Sequence, residues 1–189
     1  MDHFARFGLP RSLAVDRKAL ERAHERLSFR YHPDLLTAAS PEERQQAQVA
    51  AAGLNEAYRI LADGTERAAY LLGLLIAEAQ AAGRLPPGTE LNAEALPPGF
   101  LQEMFALQEE VDEADAADEA GRGAALAALQ APVAVRRAAT LAERERLFER
   151  AAAGGDAGLF QAIQSNLNQE KYLLRLLERL HPTSALAAS

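Results

Sequence analysis

The sequence contains no cysteine, and no apolar run approaches the ~20 residues that a membrane-spanning helix needs. Without cysteine the chain has no disulfides, no thiolate metal ligands and no cysteine nucleophile, which suits a reducing compartment. The first residues show neither an apolar signal core nor an Arg/Ser-rich transit segment. We therefore expect a cytoplasmic bacterial protein with no membrane partner.

Positive charge is also in short supply, since the formal net charge is -7. Contacts to nucleic-acid phosphates need clustered Lys and Arg. This balance excludes nucleic acid as the main partner.

The chain is instead rich in Ala, Leu, Glu, Arg and Gln, and β-branched residues are scarce. No stretch alternates apolar and polar residues for the length of a strand, which predicts an all-α fold. With 189 residues, 49% of them hydrophobic, the chain is long enough for two small domains with a core each.

The first part of the chain predicts a helical hairpin. Asp16 is a helix N-cap, and the helix that follows ends at Pro33. Ser40 to Glu43 form a capping box with proline at the first helical position of the next helix. Short helices from Asp2 to Phe7 and from about Thr65 are expected to cover the hairpin. The expected inward residues are Leu20, Ala23, Leu27 and Tyr31, then Ala50, Leu54, Ala57, Tyr58 and Leu61, then Ala68, Leu72, Leu75 and Ile76.

The second part predicts a three-helix bundle after a segment rich in Gly and Pro. Breaks are expected near Gly121 to Gly123 and at Gly154 to Asp156, where Asp156 is a candidate N-cap, and Pro132 is expected to kink or divide the middle helix. The predicted organisation is a first domain over 1–82, a linker over 83–99, a three-helix bundle over 100–182 and a flexible tail over 183–189.

Arg22, Arg26 and Arg30 recur one helical turn apart on the first hairpin helix. This basic stripe has two interpretations: it docks into an acidic groove of a partner, or it is a solvated face paired with Glu21 and Glu25. The following segment, His32–Asp34, lies at the predicted hairpin tip. There Pro33 restricts the backbone, and the Asp34 carboxylate is available to an arginine of a partner.

A catalytic or metal-binding role for these residues is disfavoured. The four histidines show no clustered ligand spacing, and no serine, cysteine or pair of carboxylates accompanies them. We expect neither an enzyme nor a resident cofactor or metal.

Two apolar stripes run along the helix that starts near Phe100. Phe100, Met104, Leu107 and Val111 suffice for a core face, whereas Leu101 and Phe105 lie about 100° round the helix. Acidic residues follow the second stripe, and residues 85 to 121 contain no Lys or Arg. The second stripe is either a docking face for a basic protein or part of a wide core face beside a soluble acidic face.

Several segments together resemble the HscB family of J-domain co-chaperones of bacterial iron–sulfur cluster assembly. The segments are Asp2 to Pro10, Arg30 to Asp34, Leu54 to Tyr58, Arg67 to Leu72 and Phe100 to Glu113; Leu35, Gln102 and Ala106 depart from the family pattern. The run Arg67-Ala68-Ala69-Tyr70-Leu71-Leu72 is typical of HscB proteins rather than of J-domains at large.

The resemblance implies two binding sites. The chaperone-binding residues would be Arg22, Arg26, Arg30, Tyr31, His32, Pro33 and Asp34, and the partner an HscA/DnaK-type ATPase. The scaffold-binding residues would be Leu101, Phe105, Glu109, Glu113 and Tyr172, and the partner an IscU-like iron–sulfur scaffold protein. Two alternatives stay open: a J-domain protein that delivers another client to a general DnaK chaperone, and a helical assembly protein that self-associates through its acidic helix.

Overall fold

The computed structural model describes residues 2–31 and 40–180. Within these ranges the chain forms seven α-helices and no strand, so the predicted all-α fold is confirmed. The helices are α1 (His3–Phe7), α2 (Arg17–Ser28), α3 (Pro41–Ala62), α4 (Gly64–Ala81), α5 (Phe100–Ala116), α6 (Glu119–Gly154) and α7 (Ala157–Leu180), and a 3-10 turn, Phe29–Tyr31, follows α2. None of them is both long and apolar enough to cross a membrane.

The chain divides into two compact units within α4, one up to Leu74 and the other from Leu75 onward. The division into a first domain over 1–82, a linker over 83–99, a bundle over 100–182 and a tail over 183–189 stays a prediction about functional parts.

Helix caps in the first unit follow the sequence signals. The Asp2 side chain accepts from the N–H of Ala5 at the start of α1, and Gly8 closes that helix at a left-handed φ of 68°. Asp16 caps α2 by accepting from two backbone N–H groups. Ser40 and Glu43 form the reciprocal capping box of α3.

The core of the first unit lies between α1, α2 and α3. It is built from the predicted inward positions, together with two aromatic side chains of α1. The buried members are Phe4, Phe7, Leu20, Ala23, Leu54, Ala57 and Leu61, with Ala68, Leu71 and Leu72 of α4. Of the predicted inward positions, Ala50, Tyr58, Leu75 and Ile76 are half-buried. Leu27, near the end of α2, and Tyr31, in the 3-10 turn that follows, are only half-buried.

Two residues of the Arg67–Leu72 run tie α4 to the N-terminal segment. The Arg67 guanidinium donates to the carbonyls of Leu13, at 2.9 Å, and Leu61. The Tyr70 ring stacks on His3 with 4.3 Å between ring centroids, and its hydroxyl accepts from the His3 backbone N–H at 3.0 Å. These side chains therefore have a packing role within the first unit.

In the second unit, α6 and α7 begin where a carboxylate caps the helix. Asp118 accepts from Gly121 N–H, so α6 starts two residues before the glycines that were expected to break the chain. Asp156 accepts from Leu159 N–H at the start of α7, as predicted. Pro132 lies inside α6, which continues undivided through it.

Gly155 stands between α6 and α7 because no side chain fits there. An added Cβ would lie 2.5 Å from the ring of Phe160. The expected break at Gly154 to Asp156 is thus confirmed, and close packing of an aromatic ring is its cause.

The segment before α5 packs onto the second unit. The Asn168 amide donates to the carbonyls of Ala93 and Ala95 at 2.8 and 3.0 Å. Asn92 exchanges two hydrogen bonds with Gln161. Polar side chains of α7 therefore hold a segment that has little periodicity of its own.

The buried face of α7 differs from the apolar stripe in its sequence. Apolar residues at helical spacing in α7 are Phe160, Ile163, Leu167, Leu174 and Leu177. The first three are buried, but Leu174 and Leu177 are half-buried. The buried positions after Leu167 are instead Asn168, Glu170, Leu173, Leu176 and Leu180. The apolar pattern does not predict this buried face, because it leaves out Glu170, a charged residue that lies in the core.

His3 generates a prediction about pH. Its Nδ1 is buried with no hydrogen-bond partner among the described residues, and burial, with Arg6 nearby, lowers the pKa of His3 below 6.5. The unfolded chain then binds a proton more readily than the folded one. Stability should therefore be full above pH ~6.5 and fall as the pH drops towards the folded pKa. Urea unfolding of wild type and His3→Phe across this window should show a shallower loss in the variant.

An NMR titration supplies the control, because the His3 ring should titrate below the usual histidine value. A ring that titrates at or above that value would contradict the prediction, whatever the urea midpoints show.

Candidate functional site

The first candidate surface is the basic stripe on α2. Arg22, Arg26 and Arg30 are exposed, while Leu20 and Ala23 of the same helix lie in the core. Amphipathic packing therefore turns the arginines outward. Tyr31 is half-buried in the 3-10 turn beyond them.

The ion-pair interpretation of this stripe finds little support. Glu21 pairs with Arg17, its Oε1 lying 3.1 Å from the arginine Nε, and not with a stripe arginine. Within residues 2–31 and 40–180, none of the three stripe arginines forms an ion pair. Their charges remain available to a partner.

The remaining predicted chaperone-binding residues, His32, Pro33 and Asp34, lie outside the described residues, as does Leu35. Their assignment stays a prediction.

The sequence pattern did not identify two exposed apolar side chains on the predicted hairpin. Phe29 follows α2, and Val49 is on the outer part of α3; both are largely exposed. Phe29 lies nine residues after Leu20, which is about 180° round an ideal helix. This angle from the core-facing residues of α2 is the sequence feature that could have identified Phe29 as exposed.

The second candidate surface, the docking face, consists of Leu101, Phe105, Glu109 and Glu113 of α5 with Tyr172 of α7. Leu101 is 39% exposed and Phe105 is 65% exposed, whereas the neighbouring Met104 is 7% exposed. Phe100, Met104 and Val111 belong to the core cluster against α6 and α7. The wide-core interpretation is therefore wrong for Phe105, while the binding role of the face stays a prediction.

Tyr172 lies at the edge of the core of the second unit. Its ring contacts buried Phe100 of α5 edge-on, with 5.9 Å between centroids, and 38% of the residue remains exposed. The Arg175 guanidinium lies 6.0 Å from the Tyr172 ring centre. The contact with Phe100 places Tyr172 beside the helix that carries Leu101 and Phe105.

Only some of the acidic residues beside Leu101 and Phe105 on α5 are without an ion-pair partner among the described residues. Arg179 of α7 bridges Asp112 and Asp115, at 2.8 and 3.0 Å, and Arg122 of α6 also binds Asp115. Hydrogen bonds to the Asp115 carboxylate lower its pKa, and the larger effect comes from Arg122, followed by Arg179. Glu109 and Glu113 are exposed and form no ion pair with any described residue, so the free negative charge lies next to Phe105.

A buried ion cluster between α6 and α7 was not anticipated from the sequence. The Glu170 carboxylate lies 2.6 Å from Arg144 and 3.0 Å from Arg137. Arg144 also donates to Asn166, whose amide donates to the carbonyl of Thr140. A charged residue on the inner face of α7 was the signal that could have revealed it.

Neither surface has the chemistry of a metal or catalytic centre. Across the part of the chain that the structure describes, no three His, Cys, Asp or Glu side chains come together as metal ligands. Both surfaces offer exposed charge and apolar area on rigid helices, which are features of protein recognition.

Comparisons with known proteins define the class first. A family model described as "HSCB C-terminal oligomerisation domain" matches residues 96–181. The chain is similar in structure to chaperone HscB from Vibrio cholerae, with a TM-score of 0.74, 29% identity and 95% of each chain covered. Human co-chaperone HscB shares the fold, with a TM-score of 0.73 at 22% identity over 95% of this chain and 80% of the human one. The fold is thus that of a co-chaperone with an N-terminal J-domain and a C-terminal helical domain.

Curated relatives narrow the class to one family. A co-chaperone protein HscB homolog of Burkholderia multivorans is 32% identical over 86% of this chain and 84% of its own length. A homolog of the same name from Bordetella petrii is 41% identical, and that match spans 60% of this chain and 61% of the relative. The chain belongs to the HscB co-chaperone family. At the level of class, this confirms the expectation that it is not an enzyme.

Adjacent residues of α5 should respond oppositely to truncation. Met104→Ala opens a cavity in the core cluster and should cost ~2–5 kcal/mol of unfolding free energy. Phe105→Ala removes an exposed ring and should stay within ~0.5 kcal/mol of wild type. Chemical denaturation of both variants measures the difference.

Val135→Ala, at another exposed apolar position, on α6, is the matched control and should also be near neutral. A loss for Phe105→Ala as large as that for Met104→Ala would place Phe105 in the core.

Proposed function

We propose that this chain is a co-chaperone that delivers an IscU-like scaffold protein to an HscA/DnaK-type chaperone and stimulates its ATP hydrolysis, promoting iron–sulfur cluster transfer. Its similarity over most of its length to proteins named HscB homologs carries the proposal. The cluster is cargo of the scaffold. Because the chain lacks cysteine, it contributes no thiolate ligand to it. Action in the bacterial cytoplasm is part of the proposal.

The first unit would engage the chaperone through charge. Three arginines along one face of α2, which form no ion pair with any described residue, suit an acidic groove, since long-range attraction raises the rate of encounter. His32–Asp34 would then make the contact that triggers hydrolysis, with Pro33 reducing the ordering cost and the Asp34 carboxylate meeting an arginine.

The second unit would hold the scaffold. Phe105 and Leu101 stand on a helix whose other face is anchored in the core, so little conformational entropy is lost when a partner covers them. Glu109 and Glu113 would favour a scaffold with basic residues around its apolar contact. Tyr172 would add a second aromatic anchor from α7.

Joining both sites in one chain makes the delivery efficient. Once the scaffold is bound, its encounter with the chaperone bound to the first unit becomes effectively intramolecular, at a raised local concentration. The two binding events together would trigger hydrolysis and client capture.

Charge reversal tests the basic stripe. Arg26→Glu should weaken stimulation of the chaperone ATPase, and the loss should be larger at low salt because exposed charges are screened at high ionic strength. Steady-state ATP hydrolysis by an HscA/DnaK-type chaperone, measured at two salt concentrations, gives the result.

Arg44→Glu is the matched control, since Arg44 is an exposed arginine of α3 outside the stripe. His32→Gln and Asp34→Asn should abolish stimulation. If both leave stimulation intact in a folded protein, the chaperone role is wrong. An equal, salt-independent loss in the two arginine variants would contradict a specific role of the stripe.

The docking face is tested by calorimetry with an IscU-like scaffold. Replacing Leu101, Phe105 and Tyr172 with Ala should weaken binding by ~1–3 kcal/mol in total if they are interface anchors. Tyr172→Ala should also lower stability, because its ring packs on Phe100, so Phe105→Ala is the cleaner single variant.

Val135→Ala again serves as control, because it removes an equally exposed apolar side chain outside the face. Unchanged binding by the folded Phe105→Ala variant would refute the assignment. Normal chaperone stimulation without any scaffold binding would instead indicate delivery of another client.

A further inference from the structure

The interface between α6 and α7 combines apolar side chains with buried polar contacts, namely the ion cluster of Glu170 and the hydrogen bond from Asn166 to the Thr140 carbonyl. Glu170 is 2% exposed and Arg144 is 4% exposed at their side chains. Apolar side chains pack without strong directional preference, whereas an ion cluster requires particular atoms to meet. The two parts of the interface therefore contribute differently to the fold.

Sliding α7 by one turn along α6 would move it by about 5.4 Å. Many apolar contacts could re-form after such a shift, but the Glu170 carboxylate would leave Arg144 and Arg137 and stay buried without its present partners. A buried charge that loses its partners costs several kcal/mol, ~3–5 in measured pairs. The cluster thus selects one axial position of α7.

That position also sets the place of Tyr172. Tyr172 follows Glu170 by two residues, which is about 3 Å along the helix axis. Its ring meets Phe100 of α5, one residue before Leu101. Any axial displacement of α7 would move Tyr172 away from the α5 part of the docking face.

We propose that Glu170 is a positioning residue for scaffold binding: through Arg144 and Arg137 it fixes the axial register of α7 against α6 and so places Tyr172 beside Leu101 and Phe105. The inference rests on the proposed scaffold binding for its consequence, while the register itself is a property of the second unit. A merely stabilising cluster would be replaceable by apolar side chains, since buried ion clusters can often be exchanged for hydrophobic residues without loss of stability.

The test replaces the cluster by apolar residues in the full chain, as Arg137→Met, Arg144→Met and Glu170→Leu together. We expect a folded protein that melts close to wild type, loses the NOE between the rings of Phe100 and Tyr172, and binds an IscU-type scaffold about tenfold more weakly or worse. The bond from the Gln130 side chain to the Leu180 carbonyl, 2.6 Å in the structure, gives a second NMR reporter of register at the far end of α7.

The control is Glu143→Leu with Arg146→Met, which removes an exposed Glu–Arg pair from α6. It should change neither the NOE nor the scaffold affinity. If the triple variant keeps both, the cluster is only stabilising and the inference is wrong; loss of one readout without the other would also overturn it.

Should the triple variant fail to fold, Glu170→Asp keeps the charge but shortens the side chain by one methylene. The inference then requires a displaced Phe100–Tyr172 contact and weaker binding in a folded protein, and an unchanged pair of readouts overturns it. If wild type binds no scaffold at all, the proposed function fails, while the NOE arm still decides whether Glu170 sets the register.

Discussion

The carboxylate of Glu170 lies inside the second unit, 2.6 Å from Arg144 and 3.0 Å from Arg137, where water cannot solvate it. Desolvation of an ion costs several kcal/mol, and its ion pairs and hydrogen bonds offset that cost. Arg144 donates to both Glu170 and Asn166, whereas its Nη2 and the Nε of Arg137 are buried with no hydrogen-bond partner among the described residues. The axial position of α7 against α6, and with it the place of Tyr172 beside α5, is proposed to depend on this ion cluster.

The exposed residues of α5 are the counterpart of that buried charge. A helix buries only one face, and here Phe100, Met104 and Val111 fill the core while Phe105 projects into solvent. An exposed aromatic ring contributes little to folding, because it loses no buried contacts when truncated. The role proposed for it is contact with a scaffold protein, and the acidic side chains nearby would favour a basic partner.

The HscB-like motifs divide into structural and functional sets. Arg67 and Tyr70 hold α4 to the N-terminal segment through hydrogen bonds and ring stacking. Packing therefore explains why these two residues are part of the motif. The stripe on α2 makes no ion pair with a described residue. The role proposed for its three arginines is docking onto an acidic surface of a partner.

Local signals were sufficient where local physics decides the structure. The caps at Asp2, Asp16 and Ser40 depend on hydrogen bonds within a few residues, and the outward place of Phe105 follows from helical periodicity. Other features depend on tertiary contacts. Glu170 is buried because α6 supplies two arginines to pair with it. Tyr172 packs against Phe100, and Arg179 pairs with Asp112 of α5. Those partners lie 26 to 72 positions away on another helix, so periodicity within one helix carries no information about them. The sequence by itself thus determined the helices and their faces, while the pairing of charges between helices was decided only when the bundle formed, because desolvation makes a buried ion depend on its three-dimensional partners.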